Sequence, residues 1–262
     1  MRADDAFAAL IVQAIEFVLD PVRTGRTSIS ALDNVEKTFI GLKVEHFLRD
    51  LLDAPKGVRD LEIAGHDVDI KNTVSRSWNW MIPPETFRAE EPVLLIAADE
   101  DARVAWMGLL KARDAYLGSP NRDGKRKVLS KAYGNILWLA PGLAWPPNRW
   151  VGLDMARFRQ LRTVRGGTIR AAAFFSENLR RVTHREILVA LLFDQKDPMK
   201  RLRGNGGARD LLRPQGIALL SGKYDAPLAR RLGYELSAEE HISIAPLTTE
   251  ELELLRRSKK VS

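Results

Sequence analysis

Apolar and polar positions repeat with two different periods along the first half of the chain. Residues 5–19 and 35–53 carry apolar side chains every three or four positions, which is typical of amphipathic helices. Shorter segments in which apolar residues alternate or run together predict strands over 60–64, 67–72, 91–98, 103–110 and 134–140. Helices combined with such strands indicate an α/β or α+β domain in this half.

The second half has a mainly helical pattern. The predicted elements are helices over 168–181 and 183–193, a helix start at 197–198, a glycine-rich turn at 204–207 and a strand over 217–220. Thr183 and Glu186 have the spacing of a capping box at the start of the second helix. Three helices followed by a short strand pair predict a winged helix-turn-helix.

Composition narrows the functional classes. The 262 residues are 45% hydrophobic, which is enough to bury a core, and the net charge of +7 favours a polyanionic partner. The chain has no cysteine, so disulfides and thiolate metal sites are excluded. No apolar run reaches the length of a membrane span, and the first residues include Asp4 and Asp5 where a signal peptide would be basic. We therefore expect a soluble, cytoplasmic protein.

The strongest chemical signal is an acid followed nine residues later by Asp-x-Lys. In a strand alternate side chains share a face, so Asp69 and Lys71 project together while Val68 and Ile70 point into a core. Asp60 lies on the preceding strand, across a turn marked by glycine. The pattern therefore predicts two carboxylates and an amine gathered at one edge of a sheet.

These groups suit a magnesium-dependent phosphodiesterase. Mg²⁺ prefers oxygen ligands and keeps several waters, and Asp60, Asp69 and the carbonyl of Ile70 can supply oxygens. Lys71 would then steer or deprotonate the attacking water and offset the charge of the transition state. Glu45, one helix upstream, is a candidate ligand of a second metal or an outer partner of the first. Mn²⁺ is expected to substitute for Mg²⁺.

Four blocks in register resemble the NaeI-type restriction endonucleases, over about residues 23–245. They are Arg23–Arg26, Glu36–Glu45, Asp60–Lys71 with Trp80–Glu85, and Met199–Arg209 with Leu212–Ile217. The second block also looks like the Lys-x-x-x-Gly-x-x-x-Glu helix of MutH mismatch-repair nickases. The resemblance implies that Glu45, Asp60, Asp69 and Lys71 are catalytic positions.

The resemblance also implies the domain organisation. We expect an α+β protein with a PD-(D/E)xK nuclease core of the MutH/PvuII type over 1–162, which is a mixed sheet with flanking helices. A winged-helix DNA-binding domain related to catabolite activator proteins is expected over 163–262. The implied enzyme is a Mg²⁺-dependent type II restriction endonuclease, a homodimer that engages a substrate and an effector site on double-stranded DNA. A cognate DNA methyltransferase acting on the same site is a possible partner.

Two segments are candidate DNA contacts. In the loop 75–80, Arg76 and Trp78 are interleaved with polar residues, although core aromatics explain the same pattern equally well. The second segment brackets a glycine turn whose amides can approach phosphate, and a solvated face is its ordinary alternative. Its candidate contacts are Lys196, Lys200, Arg201, Arg203, Asn205, Arg209 and Arg213.

Two other functions remain open at this point. A MutH-like nickase would use the same acids and the same helix to cut one strand. A DNA-binding regulator with a vestigial nuclease core belongs to another class, and it is disfavoured because Asp60, Asp69 and Lys71 are all retained.

Overall fold

The protein folds as two compact units in this computed structural model, which describes residues 3–74, 77–146 and 148–261. The N-terminal unit ends at Val151 and the C-terminal unit begins at Gly152, ahead of the boundary expected at 162/163. The difference arises because helix α5 (Met155–Thr163) packs within the C-terminal unit, where Phe158 meets Phe174 edge to face. No helix of the described part of the chain is long and apolar enough to cross a membrane.

The N-terminal unit combines helices with a mixed sheet. Its helices are α1 (Ala3–Leu19), α2 (Pro21–Thr24), α3 (Asn34–Leu52) and α4 (Pro84–Arg88), and its strands are β1 (Leu61–Ile63), β2 (His66–Thr73), β3 (Met81–Ile82), β4 (Pro92–Asp99), β5 (Val104–Lys111), β6 (Leu117–Pro120), β7 (Arg126–Val128) and β8 (Leu137–Ala144). The main sheet has the order β1-β2-β4-β5-β8 and a second sheet the order β3-β7-β6. Strands β2 and β4 are parallel and the other neighbours are antiparallel. This mixed α+β architecture is consistent with a restriction-endonuclease-like core.

Strand β4 is the centre of this unit and is buried on both faces. Leu94 and Ile96 belong to the apolar cluster that includes α1 and α3, whereas Val93 and Leu95 belong to a second cluster with Trp80. A strand covered on both sides reads as a continuous apolar run, which explains the pattern of 91–98. Helices α1 and α3 cover one face of the sheet, and the smaller sheet covers the other with its aromatic residues and Phe87 of α4.

Helix α3 begins with a capping box that the sequence analysis did not identify. The Asp33 side chain accepts a hydrogen bond from the amide of Glu36, and the Glu36 side chain accepts from the amide of Asp33. Ile40, Val44 and Leu48 form its buried face against the core. This register determines where the remaining side chains of α3 project.

The C-terminal unit is mainly helical around a three-stranded antiparallel sheet. After α5 come α6 (Gly167–Glu177), β9 (Thr183–His184), α7 (Arg185–Leu191), α8 (Ala208–Leu212), β10 (Ala218–Ser221), α9 (Gly222–Arg231), β11 (Glu240–Ile244) and α10 (Thr249–Arg257), with a 3₁₀ turn over Pro198–Leu202. The sheet has the order β10-β11-β9. The antiparallel neighbours β10 and β11 are connected by helix α9 and not by a tight hairpin turn.

The predicted capping box at Thr183 is wrong. Thr183 lies in β9, paired with His241 of β11, so its backbone belongs to a sheet. The helix begins at Arg185, and its N-cap is His184, whose Nδ1 accepts the amide of Glu186 at 3.3 Å. The distant pairing partner overrides the local capping pattern. The preceding helix, predicted over 168–181, ends earlier, at Glu177.

Candidate active site

A two-residue hairpin brings the predicted acids together. Ala64 and Gly65 both have positive φ, at 51° and 76°, and turn β1 back on β2 as expected from the glycine. Asp60 immediately precedes β1 and lies beside Asp69 and Ile70 of β2. One carboxylate oxygen of Asp60 accepts a hydrogen bond from the Ile70 amide at 2.6 Å. The Asp60 carboxylate is therefore held by the strand that carries the other candidate ligands.

The ammonium group of Lys71 lies where three oxygens converge. Its Nζ forms an ion pair and hydrogen bond with Asp69 Oδ1. It also donates to the Ile70 carbonyl oxygen at 3.0 Å and lies 4.0 Å from Asp60 Oδ2. These are the three residues whose oxygens the sequence predicts as metal ligands. Their arrangement already accommodates one positive charge.

Asp69 is buried, and a threonine from another element orients it. Only 3% of Asp69 is exposed, and its Oδ2 accepts a hydrogen bond from Thr86 Oγ1 of α4 at 2.9 Å. Burial raises the pKa of Asp69 above its ordinary value, and the charge of Lys71 opposes that rise. Thr86 is itself buried. No local sequence pattern links Thr86 to β2, so this contact was not predictable from the sequence.

Glu45 projects from α3 toward the same groups. It follows the buried Val44, and it lines one cavity together with Asp60, Asp69 and Lys71. Burial, and to a smaller extent the charge of Asp60, raise the pKa of Glu45 to about 7 against the opposing charge of Lys71. A partly buried carboxyl with a pKa near neutrality, beside two other acids, is typical of a functional site, and a cation bound nearby would favour its ionised form.

The cavity around these groups has a volume of about 830 Å³. Further polar residues line it that the sequence analysis did not single out: Lys37, Arg59, Asn79, Glu85 and Lys125. Lys37 and Glu85 lie inside blocks that carry the family resemblance, and this was the available signal for them. The lysines give this acidic centre a basic margin, as a site for a phosphodiester requires.

The donor set fits a divalent metal ion. Asp60 and Asp69 provide carboxylate oxygens and Ile70 a carbonyl, all hard ligands suited to a cation that keeps some of its waters. The buried amide oxygen of Asn72, also in the cavity wall, has no hydrogen-bond partner among the described residues. Within that part of the chain no three histidine or carboxylate side chains form a metal cluster by themselves. The donor set therefore fits an ion whose coordination shell is completed by the Ile70 carbonyl and by water.

The two predicted contacts in the loop 75–80 have different outcomes. Arg76 lies outside the described residues. Trp78 packs among four aromatic rings, with centroids 5.1–5.4 Å away: Trp80, Trp106, Tyr133 and Trp138. Its backbone has a positive φ of 42°. The contacts that the structure shows for Trp78 are those of a core aromatic side chain.

Most predicted DNA contacts of the C-terminal unit are exposed and unpaired. The exposed ones are Lys196, Lys200, Arg203, Asn205 and Arg213, and Arg201 is half-buried. Within the described chain none of their five charges forms an ion pair, although many arginines elsewhere do. The side chains of the nearby acids bond to backbone amides. Asp197 accepts a hydrogen bond from the amide of Lys200, and Asp210 accepts one from the amide of Gly206. Uncompensated charges on a surface favour an anionic partner.

Arg209 differs from the rest of that set. It pairs at 3.0 Å with Asp225, a residue only 7% exposed. Asp225 also accepts hydrogen bonds from Lys260 at 2.6 Å and from the Ser221 amide at 3.0 Å. This buried carboxylate therefore joins α8, α9 and the segment after α10. Arg209 therefore has, in the first place, a structural role in the C-terminal unit.

Comparison with known proteins agrees with these features. A family model described as "Restriction endonuclease NaeI" matches residues 3–249. The type II restriction enzyme NaeI of Lentzea aerocolonigenes is 32% identical over 244 residues, which cover 87% of this chain and 74% of that protein. The match includes both compact units.

Proposed function

Because the chain belongs to the NaeI family of type II restriction enzymes, which are site-specific deoxyribonucleases, we propose that the cavity of the N-terminal unit is the active site of a Mg²⁺-dependent double-strand endonuclease. Type II restriction enzymes generally use a divalent metal. The observation that supports this placement best is the convergence of Asp60, Asp69 and the Ile70 carbonyl around the Lys71 ammonium. The reaction is hydrolysis of a phosphodiester by water, leaving a 5′-phosphate.

Each group has a role that follows from its position. Asp60, Asp69 and the Ile70 carbonyl would hold Mg²⁺, for which Mn²⁺ would substitute. When bound there, the ion would supply Lewis-acid polarisation of the phosphate and a more acidic water. Lys71 orients or deprotonates the attacking water and offsets developing charge. Glu45, with its pKa near 7, is an outer partner or a ligand of a second ion.

Thr86 is a positioning residue in this proposal. Its hydroxyl restrains Asp69 Oδ2, so the other carboxylate oxygen is directed toward the cation position. Outer hydrogen bonds of this kind commonly orient metal-binding carboxylates. Its role is exerted through Asp69, without contact to the reacting atoms.

We further propose that the C-terminal unit is a winged-helix domain that binds DNA. Support comes from the order α6, β9, α7, α8, β10, β11 and the sheet order β10-β11-β9. When these elements are matched to a winged helix, α9 lies between the last two strands, where the wing would be. The segment from Lys196 to Arg213 contributes contacts to phosphate, because its exposed charges have no acidic partner within the described residues.

The assembly proposed here is a homodimer that engages two DNA sites, one substrate and one effector. Cutting both strands of a palindrome needs two active sites related by a two-fold axis, which a symmetric dimer supplies. A methyltransferase acting on the same sequence would protect the host DNA. The same acids in a monomer would give a nickase, the alternative enzyme.

A plasmid assay tests the proposal. Purified protein should convert supercoiled plasmid carrying a recognition site to linear molecules in Mg²⁺ or Mn²⁺, bind without efficient cutting in Ca²⁺ and be inactive in excess EDTA. Accumulation of open circles without linear product would favour the nickase. Undiminished cutting in EDTA would refute the metal site.

A further inference from the structure

A second cavity, of about 420 Å³, lies entirely within the C-terminal unit. It adjoins the 3₁₀ turn before α8, the start of α9 and the start of β11. Leu202, Leu219 and Met199 give it an apolar wall, and charged residues surround this wall. The volume falls in the range of small-ligand sites, which combine an apolar lining with a few polar groups.

Two polar atoms of residues in the cavity wall lack partners. His241 Nδ1 and Arg209 Nε are buried and have no hydrogen-bond partner among the described residues. Leaving a buried polar group without a hydrogen bond is unfavourable, so a partner for each of these two atoms is expected. Burial, together with the charge of Arg209, lowers the pKa of His241 to about 4, so the ring is neutral at pH 7. A ligand with both donors and acceptors could satisfy the pair.

Cations outnumber acids among the wall charges that have no ion pair in the described chain. Glu239 pairs with Arg185 at 3.1 Å, whereas Asp197 only accepts a hydrogen bond from the Lys200 amide at 3.1 Å and keeps its charge. Arg203 and Lys223 likewise make no ion pair there. The cavity therefore has charge available for an anion as well as polar atoms.

An aromatic ring lies at the same cavity. Tyr224 is 68% exposed although it lies in a folded helix, and the ammonium of Lys223 is 5.5 Å from its ring centroid. An exposed aromatic ring beside cations is the combination that stacks on nucleic-acid bases. Neither residue belongs to the set predicted from sequence.

We propose that this cavity binds a nucleoside 5′-phosphate, either as an extrahelical nucleotide of DNA or as a free nucleotide. Tyr224 stacks on the base, Arg203 and Lys223 attract the phosphate, and the unpaired atoms of His241 and Arg209 meet polar groups of the base. This goes beyond the backbone contacts proposed for Lys196 to Arg213, and it does not depend on the active site of the N-terminal unit.

The test uses the full chain in EDTA, titrated calorimetrically with dAMP, dGMP, dCMP, TMP and inorganic phosphate in turn. At least one nucleotide should bind at least about tenfold more tightly than phosphate, because stacking of its base on Tyr224 adds affinity that inorganic phosphate lacks. Tyr224→Ala should remove that advantage. Phe193→Ala, the matched control at a 58% exposed ring that does not line this cavity, should leave it unchanged.

Duplexes distinguish the two sources. Tighter binding to DNA with one bulged nucleotide than to the fully paired duplex, lost in Tyr224→Ala, assigns the site to an extrahelical nucleotide. Free nucleotide binding without preference for the bulge assigns it to a soluble nucleotide.

The proposal is overturned if no nucleotide exceeds phosphate and the bulge gives no advantage, or if both aromatic variants lose affinity equally. Thermal melting confirms that the variants are folded. A protein that fails here but still linearises plasmid in Mg²⁺ leaves the proposed endonuclease intact.

Discussion

The hairpin of the N-terminal unit and the basic segment 196–213 of the C-terminal unit use charge in opposite ways. In the hairpin, Asp69 is nearly buried and is held by Lys71 and Thr86, so its position is determined before any ligand arrives. In the basic segment, residues such as Lys200 and Arg203 are exposed and make no ion pair within the described chain. The hairpin holds its charges in a defined geometry, and the basic segment leaves its charges free to bind an anionic partner.

The difference corresponds to the two tasks of a nuclease. Catalysis needs groups fixed within a fraction of an ångström, and it tolerates the electrostatic cost that raises the pKa of Glu45 to about 7. Binding to a uniform phosphate backbone needs charge density and releases counterions, with little demand on geometry. Substitutions in the two regions should therefore change different observables.

The largest effect is expected for Asp69→Asn, which keeps the shape of the side chain but removes its charge. Cleavage should fall by at least about 10³-fold, because a metal ligand and the partner of Lys71 are lost together. DNA affinity in Ca²⁺ should remain within about threefold of wild type, since the contacts of the C-terminal unit are unchanged. The measurements are plasmid cleavage rates and gel-shift titrations.

Glu62→Gln is the matched control for that substitution. Glu62 is an exposed acid of β1 on the same hairpin, so its removal should leave the cleavage rate near wild type. Equal losses in the two variants would mean that cleavage depends on the overall charge of the hairpin and would remove Asp69 from the site.

A comparison of Arg209→Gln with Arg203→Gln separates architecture from binding within one segment. Arg209→Gln should lower the free energy of unfolding of the C-terminal unit by about 1–2 kcal/mol, because Asp225 loses one of its partners and retains Lys260. Arg203→Gln, at an exposed site, should change it by less than about 0.5 kcal/mol. Urea unfolding measures both, and equal stability of the variants would contradict the assigned role of Asp225.

The double substitution Lys200→Ala with Arg201→Ala probes the available charges. DNA affinity should fall roughly tenfold at low salt, and the slope of log affinity against log salt should flatten by about one to two units. Arg230→Ala removes a surface arginine that already pairs with Glu235 and should change the slope little. If both variants flatten the salt slope equally, the unpaired charges of the basic segment have no special part in DNA binding.

The smallest expected effect concerns Glu45 and pH. Since its pKa rises from 4.5 to about 7 on folding, the folded state retains a proton that the unfolded chain has released between those values. The stability from this carboxyl is complete below about pH 4.5 and is lost as pH rises through about 7. Glu45→Gln should therefore stabilise the metal-free protein at pH 8 by on the order of 1 kcal/mol, discounted for partial exposure.

Chemical unfolding in EDTA at pH 5 and pH 8 measures this effect. The difference between the two pH values should be smaller in the variant than in wild type. A variant that is less stable than wild type at pH 8 would show that the Glu45 carboxylate makes favourable contacts, contrary to the repulsion inferred from its neighbours.

Local patterns predicted the N-terminal unit well where they coincide with tertiary contacts. Strand alternation and one glycine were enough to predict that Asp60 and Asp69 meet across a hairpin, and the pairing of β1 with β2 confirms it. The resemblance to the NaeI-type enzymes is confirmed by the family match. The roles of the individual site residues remain proposals.

Features that depend on distant segments were not predictable in this way. Thr86 reaches Asp69 from α4, and Asp225 meets Lys260 across 35 positions, without any periodic signal in the sequence. The capping box predicted at Thr183 was wrong for the same reason, because the backbone of Thr183 pairs with β11. Helix α9, which lines part of the second cavity, was likewise not predicted, and the bounds of β11, the second strand of the expected pair, were not predicted either.

Sequencing the DNA ends made by the purified protein tests the central claim most directly. A genomic library incubated with wild-type protein and Mg²⁺ should yield 5′-phosphorylated ends on both strands at one recurring short sequence. The same library with Asp69→Asn, or with EDTA, should yield none, although the variant still binds duplex DNA. Ends that share no sequence, or identical ends from wild type and Asp69→Asn, would contradict a site-specific nuclease built on the carboxylates of the N-terminal unit.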